Sequence, residues 1–132
     1  MDQIHFTSPI WVFLLPVIAA GADILTGLLQ AGVNKNYNSS VMRKGLYRKL
    51  GEIGCVVFAY LVNVAINLPV NITAFVSIYI VIMEGISVLE NLSAAKVPVP
   101  GWILTKLKKA ADTLAQNPEQ VGKLPEDGDG HA

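Results

Sequence analysis

Residues 70–91, VNITAFVSIYIVIMEGISVLEN, constrain this chain more than any other stretch. At about 1.5 Å per residue, a helix of this length reaches across a hydrocarbon core of about 30 Å. Yet Glu84 lies deep inside the apolar run, and Glu90 and Asn91 close it. An ionised side chain near the bilayer centre costs about 2.5–3.5 kcal/mol on insertion scales. Ser77, Glu84, Ser87 and Asn91 recur at spacings of seven, three and four, which puts them on one helical face. A lone spanning helix gains nothing from such a stripe. Other helices, or water, must lie against it.

The remainder of the chain supports a membrane reading. Of its 132 residues, 52% are hydrophobic and 15% charged, against about 25% charged in a typical soluble domain. The formal net charge is zero, so nothing in the charge balance points to nucleic acid as a partner. The single Cys55 has no intrachain partner for a disulfide, and its apolar neighbours make it a small packing residue.

In chain order, residues 1–8 are polar and free of Lys and Arg, and Ser8-Pro9 has the form of a helix start. A first span follows over residues 10–30. Ala20-Gly21-Ala22 has the small residues of a signal-peptidase site, but no basic segment precedes the apolar run, so the span is expected to be retained. Pro16 removes a backbone donor and predicts a kink. Ala19, Ala20, Asp23, Thr26, Gly27, Gln30 and Ala31 give the span a small and polar face, which admits a second helix closely and needs polar partners in lipid.

Residues 33–49 read as a hydrophilic connection with five basic residues, Lys35, Arg43, Lys44, Arg48 and Lys49, and no acid. By the positive-inside rule this segment is cytoplasmic and touches anionic lipid. A second span is expected over residues 50–68, with Glu52, Cys55, Ala59, Asn63 and Asn67 at helical spacing. The turn through Pro69 carries no basic residue and fits the outer side. The third span, residues 70–91, returns the chain to the cytoplasm, where Lys96, Lys106, Lys108 and Lys109 follow.

After the Val97-Pro98-Val99-Pro100 breaker, Trp102, Ile103, Leu107, Ala110, Ala111 and Leu114 recur at helical spacing opposite the lysines. They predict a short amphipathic helix, lying on lipid or packed on a neighbouring subunit. The expected fold is therefore an all-α membrane protein with three transmembrane helices, N-terminus out and C-terminus in. Its parts are a membrane domain over residues 1–97, a cytoplasmic amphipathic helix over 98–117, and a disordered acidic tail over 118–132.

No sequence motif for a catalytic, phosphate-binding or metal-binding site is present, so neither a catalytic residue nor a cofactor is expected. What remains is the set of membrane carboxylates. Asp23 precedes Lys35, and Glu84 precedes Lys96, by the same 12 residues, which places the two acids at similar depth. Two readings follow. In one, the polar stripes of the three spans are interfaces between protomers of an assembly that lines or creates a hole. In the other, Asp23 and Glu84 form a proton or cation relay in a small oligomeric transporter.

Two groups of residues carry a family resemblance. Asp23-x-x-Thr26-Gly27-x-x-x-Ala31, then Ser39-Ser40, Lys44-Gly45 and Arg48-Lys49, resemble the first half of the toxin secretion/phage lysis holins. Tyr79-Ile80, Glu84, Ser87-Val88 and Glu90-Asn91, followed by Val97-Pro98-Val99-Pro100 and a lysine-rich helix, resemble the second half. The sequence departs from that pattern at Lys96, where a glycine is expected. The resemblance implies a phage-encoded, multi-pass protein of the host inner membrane. It would form homo-oligomeric lesions that let endolysin, or a toxin, reach the wall without direct binding, under the control of an antiholin in some systems. The residues expected at the oligomer or pore interface are Asp23, Thr26, Gly27, Asn63, Ser77, Glu84, Ser87, Glu90 and Asn91.

Overall fold

The computed structural model describes residues 9–117, all helices and short connections. Four helices follow in order: α1, Pro9–Val33; α2, Ser39–Ala65; α3, Ile72–Ala94; and α4, Gly101–Gln116. The expected tail, residues 118–132, and the proposed cap at Ser8 lie outside the described residues. Two helical stretches, Ile10–Val33 and Ile72–Ala94, are long and apolar enough to cross a membrane. In α2, every stretch of 18 residues contains Arg48, Lys49 and Glu52, and these charges keep its middle from reading as an uninterrupted apolar span.

The largest departure from expectation is in residues 33–49. Only residues 34–38 connect α1 to α2, and the helix begins at Ser39. Asn38 is its N-cap, and its side-chain oxygen accepts from the amides of Ser40 and Val41, satisfying donors the helix leaves open. With that cap in place, nothing from Ser40 to Lys49 breaks a helix, and the basic run becomes its first three turns. Asn71 caps α3 in the same way, accepting from the Ala74 amide.

Both long apolar helices stop by the same device. At the end of α1, the Asn36 amide donates to the Ala31 carbonyl and the Lys35 amide to Gly32. At the end of α3, Val97 donates to Leu92 and Lys96 to Ser93. In each case the lysine is left-handed, with φ of 52° for Lys35 and 64° for Lys96, the geometry of a Schellman motif. The two stops are tied together, since Asn34 Nδ2 donates to the Ala94 carbonyl at 3.2 Å. The C-terminal ends of α1 and α3 therefore lie side by side.

Helix α3 is the centre of the bundle and packs against each of the other three. Val12, Val56 and Ile80, one from each of the first three helices, form the buried apolar core, with Phe13 and Val76 beside them. Phe13 also meets Tyr60 edge-on, with ring centroids 5.4 Å apart. On α2 the buried positions are Lys49, Val56 and Ala59. Cys55, expected to pack inward, is exposed, because one residue's rotation of the helix puts Val56 on the inner face instead.

Helix α4 neither lies free nor waits for a neighbouring subunit. It folds back along α3 of its own chain, burying Ala111 and Leu114. It crosses α3 at Gly85, where a Cβ would stand in ordinary contact with Leu107 Cδ1 at 3.7 Å. Lys108 pairs with Glu90 at 3.5 Å, both half-exposed, and Lys106 lies over the Trp102 ring at 5.6 Å.

Candidate functional site: a charged triad shared by three helices

Asp23, Lys49 and Glu84 each stand ten residues from one end of their helix, at Val33, Ser39 and Ala94 respectively. Because α2 runs opposite to α1 and α3, those ends lie together, and at about 1.5 Å per residue all three side chains meet about 15 Å into the bundle. Lys49 Nζ donates to Asp23 Oδ2 at 2.6 Å and to the Oε2 carboxylate oxygen of Glu84. All three are buried, with relative exposures of 8%, 4% and 1% in the order Asp23, Lys49, Glu84. One cation thus joins three helices.

The remaining oxygens are held by neighbours. Asn91 Nδ2 donates to Asp23 Oδ1 at 2.9 Å and also reaches Thr26 Oγ1 at 3.2 Å. Thr26 turns its hydroxyl back onto its own helix, donating to the Ala22 carbonyl at 2.9 Å. Gly27 lies against this contact: a Cβ there would stand in ordinary contact with Asn91 Nδ2 at 3.6 Å. On the other side, Arg48 lies 3.8 Å from Glu84 Oε1 and 3.3 Å from Glu52 Oε1. That arginine is 60% exposed, so its contribution is small beside that of Lys49.

The nine residues singled out from the sequence divide into separate tasks. Asp23, Thr26, Gly27, Glu84 and Asn91 come together at the triad. Ser87 lies beside it, between a cavity of about 700 Å³ that faces α4 and a groove of about 520 Å³ between α1 and α2. Ser77 stands apart and answers the kink residue. Pro16 has no amide hydrogen, so the Val12 carbonyl four residues earlier loses its helical donor; the Ser77 hydroxyl supplies one at 2.7 Å. Asn63 works at the opposite end of the bundle. Its side chain accepts from the Thr73 amide and hydroxyl, both at 2.9 Å, and donates to the Val70 carbonyl, fixing the turn between α2 and α3. Glu90 is the partner of Lys108 on α4.

Lys49 was absent from that set. It reads as one of five basic residues in a topology signal, yet it extends the inward stripe of α2: Lys49, Glu52, Val56, Ala59 and Asn63 follow at three- and four-residue steps. Carrying the helical register three residues back past Glu52 would have found it. A buried Lys between two buried acids offsets one of their two negative charges, and removing that Lys leaves both carboxylates without their cation, at a cost of about 3–5 kcal/mol. Among the described residues, no group of three His, Cys, Asp or Glu side chains is arranged to hold a metal ion.

The sequence profile of the bacteriophage holin family matches residues 4–112. The chain is similar to the holin-like protein TcdE of Clostridioides difficile, with 27% identity over 128 residues that cover 84% of this chain and 77% of that protein. It is also similar to an uncharacterized protein, YqxH, of Bacillus subtilis (strain 168), with 28% identity over 101 residues, 76% of this chain and 72% of the relative. No solved structure matches.

Proposed function

The chain belongs to the bacteriophage holin family, and on that premise we propose that it oligomerises in the bacterial inner membrane to form lesions that release endolysin and bring about lysis of the host cell. The observation that carries the reading is the family match across most of the chain, and the closed triad gives it a physical form. A chain that seals Asp23, Lys49 and Glu84 against one another presents mainly apolar side chains such as Ile18, Leu25, Phe58 and Val64 outward. Such a chain can accumulate in lipid without opening a path. The polar groups it stores are those that can face a neighbouring copy, or water, once the copies assemble. On this reading Asp23, Thr26, Gly27, Asn63, Ser77, Glu84, Ser87, Glu90 and Asn91 form the assembly and lesion surface. The assembly itself is the activity, so no catalytic residue is required.

The same reading gives α2 a membrane crossing. Its 27 residues reach about 40 Å, and the charges that interrupt it are paired, Lys49 with Asp23 and Glu84 and Arg48 with Glu52. The adjacent ends of α1 and α3 then share a side with Lys35, Arg43, Lys44 and Lys96, which supports an outside N-terminus and an inside C-terminus. A proton or cation relay through Asp23 and Glu84 has less support, because Lys49 already engages both carboxylates.

The test is inducible expression in a bacterial host that lacks other phage genes, with and without a co-expressed cytoplasmic endolysin. The expected result is growth arrest from this chain alone and rapid clearing of the culture only when endolysin is present. Clearing that is the same in both cultures, or no clearing in either, would remove the lesion reading.

A further inference from the structure

The groove between α1 and α2 has the form of a lipid site. It runs from the triad to the basic end of the bundle, about ten residues of helix, or about 15 Å. That is half of a hydrocarbon core of about 30 Å, the depth of one leaflet. Its walls are the exposed apolar side chains of Ile24 and Leu28 on α1 and of Val41, Met42 and Leu46 on α2. Its rim, at the connection between the helices, carries Asn36, Asn38 and Arg43. Here α1 and α2 stand apart, touching least of the packed helix pairs.

Arg43, the cation at the rim, is free to act on a ligand, and two further unpaired cations lie near it in sequence. Arg48 and Lys49 are taken up by acids, whereas Lys35, Arg43 and Lys44 form no ion pair among the described residues. No acidic residue lies between Asp23 and Glu52. An apolar slot one leaflet deep beneath an unneutralised basic rim matches an amphiphile with an anionic head. A soluble anion would leave the slot empty, and a zwitterionic lipid would leave the rim uncompensated. The geometry points to a site for one anionic phospholipid, with an acyl chain between Ile24 and Leu46 and its phosphate at Arg43, where the neighbouring Lys44, outside the groove lining, adds positive potential. This inference rests on the membrane placement proposed above.

The test uses the purified full chain in detergent, stripped of lipid and titrated with phosphatidylglycerol or phosphatidylcholine, with bound lipid counted by native mass spectrometry. One phosphatidylglycerol per chain should be retained in preference to phosphatidylcholine. Arg43→Gln with Lys44→Gln should weaken that retention about tenfold or more. Gly45→Leu separates a groove from mere surface charge: a Cβ there meets nothing within 4 Å, so the side chain can fill the slot with every charge in place, and retention should be lost while helical circular dichroism is kept. Equal retention of the two lipids, displacement by inorganic phosphate, or unchanged retention in Gly45→Leu would overturn the site. Lipid counts do not depend on lysis: selective retention by a chain that fails to lyse cells would remove the holin reading and leave the site standing.

Discussion

Lys49 Nζ lies 2.6 Å from Asp23 Oδ2, across 26 residues of sequence and between two helices that otherwise touch little. The same ammonium also holds Glu84 on α3. The packing of the first three helices therefore depends on one side chain at the level where their polar stripes meet. Lys49→Met should leave two unpaired carboxylates buried, at a cost of about 3–5 kcal/mol, and the chain should fail to accumulate in membranes. The triple change Asp23→Asn, Lys49→Met, Glu84→Gln should restore accumulation, measured by immunoblot of membrane fractions. Glu84→Gln alone leaves Lys49 with Asp23; it should insert normally but shift the time of lysis and the ladder of cross-linked oligomers. Unchanged timing and oligomers in that variant would show that the charge has no part in assembly.

Ser77 and Pro16 should behave as a coupled pair. With Pro16 present, Ser77→Ala leaves the Val12 carbonyl buried without a donor and should cost about 1–3 kcal/mol. In a Pro16→Ala background, the new amide at position 16 takes that carbonyl in the ordinary helical way, so the same serine change should cost much less. Denaturation in mixed detergent micelles measures both arms of the cycle. Equal costs in the two backgrounds would mean that the Ser77 hydroxyl does not serve the kink.

Much of this was legible in the sequence, and what was not had local causes. The stripe on residues 70–91 announced that α3 must be covered, and equal distances to Lys35 and Lys96 put Asp23 and Glu84 at one level, where the structure joins them. The glycine that the family resemblance leads one to expect at Lys96 has a backbone reason: with φ of 64° the position is left-handed, where glycine costs least. What composition hid was the helix inside a basic segment. Five cations and several Asn and Ser residues resemble a loop, but Asn38 is a cap and the residues after it have no breaker. Reading the segment as loop also concealed Lys49. The position of α4 was hidden for a different reason: an amphipathic face does not say what covers it, and only the small Gly85 hints that α3 can.

Gly27 faces α3 with room for a methyl group but not for a long side chain. Gly27→Ala should be tolerated, because its Cβ makes ordinary contact with Asn91 at 3.6 Å. Gly27→Leu extends further toward α3 and should delay or abolish the onset of lysis while leaving insertion intact. Onset time after induction, normalised to membrane copy number, distinguishes the two. Unaltered onset in Gly27→Leu would place the α1–α3 contact outside the assembly path.

The proposed orientation, with the basic end of the bundle inside, is tested by labelling. In a Cys55→Ser background, Ser40→Cys should be protected from a membrane-impermeant maleimide in intact cells, and Leu68→Cys should be labelled. Ser40 is chosen because the neighbouring Asn38 caps α2, and replacing a cap costs about 1 kcal/mol. Labelling at position 40 from outside would reverse the assignment.

The most direct measurement is the escape of a folded, endolysin-sized cytoplasmic reporter, followed against the number of chains in the membrane. Helices about 10 Å across cannot enclose a gap of that size from one or two copies, so many must act together. The account predicts a full lag, with the reporter retained as the chain accumulates, followed by abrupt escape above a threshold density. A graded loss of membrane potential that rises from the lowest expression, with the reporter kept inside throughout, would contradict it.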